Sequence, residues 1–123
     1  MQPETTAIDL TANNVLLADF MGWEKLKDGR YYFSFFEPEP VVKCPPEQLR
    51  FHKYWNWLMP VVEKINSSDT ECFVTIWANQ CRIHNIYPYK MNDIFFEESS
   101  TIDAVFKACV EFVKWCNENP KSN

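Results

Sequence analysis

Residues 71–87, ECFVTIWANQCRIHNIY, alternate in the manner of two β-strands around Ala78-Asn79. Alternation with a period of two is typical of strands, and the short break between the runs predicts a hairpin. Pairing across the break assigns the side chains to two faces. One face carries Cys72, Val74, Ile76, Cys81 and Ile83, and the other carries Phe73, Thr75, Trp77, Arg82, His84 and Ile86. We expect the first face to be core and the second to be aromatic but mixed.

A second hairpin is predicted by Asp28-Gly29, a pair that type I′ turns favour. The turn would join strands over residues 23–27 and 30–36. One face would then hold Leu26, Tyr31, Phe33 and Phe35, and the other Trp23, Lys25, Tyr32, Ser34 and Phe36. Because large apolar side chains gather on the second face of both hairpins, most of that face needs cover. We expect the first helix to provide part of it; the alternatives are that a partner chain or a second copy covers the face, or that the face forms an open ligand groove.

Capping residues delimit two helices. Thr11 as N-cap and Gly22 as C-cap predict a helix over residues 12–21. Ser100 followed by Asp103 resembles an N-cap with an acidic residue in the first turn, and it predicts a helix that continues to about residue 118.

A longer helix is predicted from about residue 47 to residue 65, because apolar residues recur there at 4-3-4-3 spacing. Trp57 lies off this stripe, and we expect it at the boundary of the core. The predicted main core comprises Phe51, Trp55, Leu58, Val62, Ile65, Val74, Ile76, Ile83, Val105, Cys109, Phe112 and Cys116.

The element order α-ββ-α-ββ-α predicts an α+β fold with one four-stranded antiparallel sheet and helices packed on it, as in an α-β-α sandwich. Residues 37–46 are rich in proline and predict a semi-rigid connector. Residues 88–98 predict a loop. We expect residues 1–123 to form a single domain with flexible ends at 1–10 and 120–123.

The composition excludes several classes of protein. The 123 residues are 46% hydrophobic and 16% aromatic, which predicts a folded domain rather than a disordered chain. Two glycines leave no glycine-rich phosphate loop, and a net charge of −5 argues against general nucleic-acid binding. No apolar run approaches the roughly 18 residues of a membrane span, and no signal-peptide pattern opens the chain.

Five cysteines without a secretion signal indicate reduced, buried thiols. The alternative interpretation of these cysteines is a zinc site at Cys81 and His84, with Cys72 nearby. Strand parity opposes it, because residues three apart on a strand face opposite sides of the sheet. We expect no metal and no cofactor.

Catalytic patterns are weak throughout the chain. His52 and His84 have no neighbouring nucleophile in sequence, and the acidic pairs Glu37/Glu39 and Glu97/Glu98 fall on predicted loops. We therefore expect a protein that is not an enzyme.

Several segments together resemble small phage and prophage proteins of gut bacteria that contain a phage α-β-α sandwich domain. The segments are LLADFMGW at 16–23, FHKYWNWLMPVVEKI at 51–65, VTI at 74–76, CRI at 81–83 and AVFKACVEFVKWCNE at 104–118. The resemblance spans most of residues 16–118, but not the connector 37–46 or the loop 88–98. It implies a sandwich fold and no known reaction, cofactor or catalytic residue.

The leading hypothesis is a phage-encoded interaction protein of the host cytoplasm that binds, and could inhibit, a host or defence protein. The partner would be a host or phage protein or a second copy of the chain, with no membrane involved. The predicted contact residues are Trp57, Trp77, His84, Ile86, Phe95, Phe96, Glu97 and Glu98. A small-ligand or nucleotide-binding module and an accessory virion component are the alternatives.

Overall fold

The computed structural model describes residues 7–33, 42–67, 71–85 and 93–119. The chain divides into two compact units, Met1–Arg50 and Phe51–Asn123. The mixed α+β class is confirmed, since the described residues form three α-helices and two antiparallel sheets of three strands each. The single four-stranded sheet is wrong, because the two predicted hairpins belong to separate sheets and each gains a third strand.

In the first unit, helix α1 spans Ala7–Phe20, followed by strands β1 (Glu24–Lys25), β2 (Tyr31–Phe33) and β3 (Val42–Cys44) and a short 3-10 helix at Pro46–Gln48. In the second unit, helix α2 spans Trp55–Ile65, followed by β4 (Cys72–Trp77), β5 (Gln80–Asn85), β6 (Ile94–Glu97) and helix α3 (Thr101–Glu118).

Helix α1 begins before its predicted N-cap and ends where the sequence predicts. Thr11 lies inside the helix. Gly22 adopts a positive φ of 77°, and the N–H of Trp23 donates to the carbonyl of Ala18 at 3.1 Å. This arrangement satisfies carbonyls at the helix end, so the glycine C-cap is confirmed.

The first hairpin forms, but with a three-residue loop instead of the predicted two-residue turn. Lys25 pairs with Tyr31, and the N–H of Leu26 donates to the carbonyl of Arg30 at 2.8 Å. Gly29 takes the left-handed position with a φ of 91°. The register therefore shifts by one residue, and Lys25 shares a face with Tyr31. Its ammonium lies 5.9 Å from the centre of the Tyr31 ring.

The predicted connector 37–46 contains strand β3, which pairs with β2 through Tyr31 and Cys44. Only its last part is described, and that part is a strand rather than a free linker. The buried side chains of this unit include Leu17, Tyr31 and Leu49. The Tyr31 hydroxyl donates to Asp19 at 2.9 Å, and burial, reinforced by this hydrogen bond, raises the pKa of Tyr31.

The second hairpin has the predicted register. Val74 pairs with Ile83 and Trp77 with Gln80, which leaves Ala78-Asn79 as the turn. Residues 94–97, predicted as loop, form β6 on the free side of β5. The sequence Ile-Phe-Phe-Glu has high strand propensity, and β5 offers it an unpaired edge.

Helix α2 begins at Trp55, later than predicted, after a turn that buries Phe51. Helix α3 has the predicted N-terminus, because the Ser100 hydroxyl accepts from the N–H of Asp103 at 3.2 Å. Helix α3 packs on the sheet, and α2 contacts both α3 and β4.

Most of the predicted core is confirmed, namely Phe51, Leu58, Val62, Ile65, Ile83, Val105, Cys109 and Phe112. For two residues, Trp55 and Ile76, the prediction that they lie in the core is wrong. Trp55 is 40% exposed because it opens helix α2 rather than lying inside it. Ile76 is also exposed, since it lies on the outer strand β4 next to the turn. Val74 and Cys116 are half-buried.

Candidate functional site

One face of the second sheet carries large side chains in an exposed position. We call it the aromatic face: Phe73, Thr75 and Trp77 from β4, Gln80, Arg82 and His84 from β5, Phe95 and Glu97 from β6, and Asp93 just before β6. Trp77 is 73% exposed, and Phe73 and Phe95 are each 45% exposed. The opposite face buries Cys72, Cys81 and Ile83. The alternation of strand residues thus explains both faces.

A shallow groove of about 250 Å³ runs across the aromatic face. Its lining consists of Thr75, Trp77, Gln80, Arg82, His84 and Phe95. The guanidinium of Arg82 lies 4.8 Å from the centre of the Phe95 ring, a cation–π distance. This contact places the arginine side chain against the Phe95 ring of β6.

His84 joins the aromatic face to the start of β6. Its ring stacks on Phe73 with centroids 4.7 Å apart and planes 14° apart. Its Nδ1 lies 3.3 Å from an Asp93 carboxylate oxygen, and Arg82 reaches the same oxygen at 3.9 Å. Asp93 thus lies within ion-pair distance of both residues, which orients them on the face.

The side chains of the aromatic face carry both signs of charge. Arg82 is the one permanent cation among them, and Asp93 and Glu97 are the two carboxylates. Glu97 accepts a hydrogen bond from Gln80 at 2.9 Å across the β5–β6 pair. The β6 side of the face is therefore acidic.

The turn that presents Trp77 is held by hydrogen bonds to Glu98 and to Thr101, the first residue of α3. The Asn79 side chain donates to the carbonyl of Glu98 at 2.6 Å, and the Thr101 hydroxyl donates to the carbonyl of Ala78 at 2.6 Å. Ala78 has a positive φ of 51°, which is rare for a residue with a Cβ atom. The turn is therefore defined by tertiary contacts.

The structure brings four of the predicted contact residues to the aromatic face: Trp77, His84, Phe95 and Glu97. The other predicted contact residues are placed elsewhere. Trp57 is half-buried, with its ring edge-on to Phe51 at 5.5 Å. Phe96 pairs with Cys81, on the buried side of the sheet. Glu98 forms an ion pair with Lys107 at 2.7 Å. Ile86 lies outside the described residues.

Sequence reasoning did not select Arg82, Gln80, Thr75 or Asp93 as contact residues. For Thr75 and Arg82 a signal existed, since strand parity already placed them on one face with Trp77. For Asp93 it did not, because its role depends on β6 pairing with β5.

The buried thiols are unsuited to nucleophilic chemistry. Burial raises the pKa of Cys81 to about 12, and burial next to Cys81 raises the pKa of Cys109 as well. Thiols of this kind stay protonated at neutral pH and react slowly. Cys81 and His84 face opposite sides of the sheet, as strand parity predicted. Among the described residues, no three His, Cys, Asp or Glu side chains cluster so as to hold a metal ion.

Comparisons of the chain with protein-family models, with curated proteins and with solved structures found no match. Within the described ranges, none of the helices combines the length and the apolar composition needed to cross a membrane.

Proposed function

We propose that this chain is a non-enzymatic interaction protein that binds a partner protein through the aromatic face. The observation that carries the proposal is the exposure of Trp77 beside Phe95 and Arg82. Tryptophan and arginine are the residues most enriched where binding energy concentrates in protein interfaces. The shallow groove suits an inserted side chain better than an enclosed small molecule.

The contacts among the side chains of the aromatic face also support this proposal. Trp77 ends a strand whose turn is hydrogen-bonded to Glu98 and to Thr101, the first residue of α3. Arg82 and His84 are oriented by Asp93 and by the rings of Phe95 and Phe73. Side chains that are ordered before binding lose less conformational entropy in the complex.

The origin and setting of the protein belong to the same proposal. The resemblance of several segments within residues 16–118 to phage and prophage proteins supports a phage-encoded protein acting in the host cytoplasm. There it would bind a host or defence protein and inhibit it by occupying a surface that the host needs.

Affinity capture from bacterial lysate tests the proposal, followed by calorimetry with the purified partner. We expect Trp77→Ala to weaken binding at least tenfold, because an exposed tryptophan anchor contributes about 2 kcal/mol or more. Trp55→Ala is the matched control, since Trp55 is also exposed but lies on α2. If the two variants lost the same amount of affinity for the partner, or if neither lost any, the aromatic face would be excluded as the binding site.

A nucleotide is the second candidate ligand, favoured by the presence of Trp77, Arg82 and Phe95 in the lining of one groove. A base could stack on the aromatic rings while its phosphate binds the guanidinium. Saturable binding of adenosine monophosphate, lost on omission of the phosphate or on Arg82→Gln, would support this function instead.

A further inference from the structure

Strand β6 exposes its backbone at one edge of the second sheet. The N–H of Glu98 donates to the carbonyl of Asn79 at 3.1 Å, which continues the β5–β6 ladder. Alternate residues of an antiparallel strand bond to the same neighbour. Phe96 and Ile94 therefore bond to β5, whereas the N–H and C=O groups of Phe95 and Glu97 point away from it. No partner for these groups lies in the described part of the chain.

The opposite edge of the sheet is partly blocked. The N–H of Val74 on β4 donates to the side-chain oxygen of Asn66 at 2.7 Å. Asn66 is the C-cap of α2, so the helix end covers the middle of this edge. The two edges thus differ, and only β6 offers an uninterrupted set of outward backbone groups.

We propose that β6 binds an extended segment of the partner protein as a fourth, antiparallel strand. This inference rests on the proposed function and specifies its binding mode. Outward N–H and C=O groups at Phe95 and Glu97 would form the main-chain hydrogen bonds. Side chains of the added strand would alternate, with every second one extending the aromatic face beside Phe95.

The charges along the β6 edge indicate which residue types the added strand carries. Glu97 and Asp93 flank Phe95 on the same face, and both are acidic. Opposite charges across neighbouring strands stabilise their pairing. The partner segment therefore carries an apolar residue opposite Phe95 and a lysine or arginine two residues before and after it.

A second copy of the chain fits this edge poorly. Two β6 strands paired around a twofold axis would bring Glu97 of one copy next to Asp93 or Glu97 of the other, directly opposite or diagonally. Like charges in these positions destabilise strand pairing. The net charge of −5 on each copy adds to this repulsion. The edge thus suits a basic foreign segment.

The probe is the peptide acetyl-Lys-Thr-Val-Thr-Lys-amide, titrated into the ¹⁵N-labelled full chain and observed by NMR. We expect saturable shifts of the Phe95 and Glu97 amides, with binding in the millimolar range. The matched peptide with Glu in place of both Lys should bind about tenfold more weakly, because two attractions become repulsions. The peptide with N-methylvaline at its centre should not bind, since it lacks the central donor.

Two protein variants separate backbone pairing from charge. Glu97→Pro removes an outward N–H that the internal ladder does not use, and it should abolish peptide binding. Glu97→Gln keeps that N–H and should weaken binding only a few-fold. Strand addition would be overturned if the wild-type chain bound the lysine and glutamate peptides equally well, or bound the N-methylated peptide as well as the unmodified one. This comparison uses the wild-type chain alone, so it holds even if a variant fails to fold.

The outcomes also distinguish this inference from the proposed function. If Trp77→Ala abolishes capture of the partner while Glu97→Pro does not, the aromatic face binds by side chains alone and strand addition fails. If neither variant affects capture, the proposed function fails as well.

Discussion

At the scale of single residues, only one of the two tryptophans of the WNW segment takes the position that helical spacing predicts, because Trp57 lies at the boundary of the core but Trp55 lies outside it. Spacing places Trp55 in the core and Trp57 at its boundary. In the structure Trp55 is 40% exposed, whereas Trp57 is half-buried against Phe51. The reason is that Phe51 precedes α2 instead of lying on it, so the stripe that begins at Phe51 does not continue through Trp55.

We expect Trp57→Ala to lower the free energy of unfolding by about 2 kcal/mol, because it removes the edge-to-face contact with Phe51 and buried apolar area. Trp55→Ala should cost less than about 1 kcal/mol, since much of that ring already contacts water. Urea unfolding of both variants, followed by far-UV circular dichroism, measures the difference. Equal costs, or a larger cost for Trp55, would contradict the placement of the two rings.

At the scale of elements, helix α3 follows from local signals and β6 does not. Ser100 caps α3 as predicted, and the apolar stripe of the helix is buried against the sheet. Strand β6 has only four residues, and its identity depends on the edge of β5 beside it. A short segment of this kind carries no periodicity that distinguishes it from a loop.

Phe112 tests the packing of α3 on the sheet. Its side chain is 1% exposed, so Phe112→Ala removes a large buried group and leaves a cavity. We expect the free energy of unfolding to fall by about 3–5 kcal/mol, a large share of the stability of an ordinary domain. Lys114→Ala on the exposed side of the same helix is the control and should cost less than about 0.5 kcal/mol. A melting curve of Phe112→Ala that matches wild type would refute this core.

At the scale of the whole molecule, the chain forms two compact units with two separate sheets, where the sequence predicts one four-stranded sheet. The aromatic side chains predicted to share one face therefore divide between the two units, with Trp23 in the first unit and Trp77 in the second. That α1 covers the aromatic face stays a prediction, as does the single domain.

We expect the full chain to be monomeric, because its net charge is −5 and the β6 side of the aromatic face is acidic. Sedimentation velocity at low and high protein concentration measures this directly. Trp77→Glu should sediment like wild type. A wild-type dimer that Trp77→Glu dissociates would instead assign the aromatic face to a second copy of the chain.

By itself, the sequence determined the α+β class, the register of β4 with β5, the C-cap of α1 at Gly22 and the N-cap of α3 at Ser100. These features depend on strand alternation, on a two-residue turn and on residues that satisfy nearby backbone groups, all within a few positions of one another. The same alternation assigned Phe73, Thr75, Trp77, Arg82 and His84 to one face, so about half of the candidate site was predictable.

Only the tertiary structure decided the strands β3 and β6, the start of α2 and the division into two sheets. A sheet edge can accept any compatible extended segment, and no local pattern states which segment pairs with it. The groove between Trp77, Arg82 and Phe95 therefore emerges only once β6 has paired with β5, because hydrogen bonds between segments distant in sequence bring its residues together.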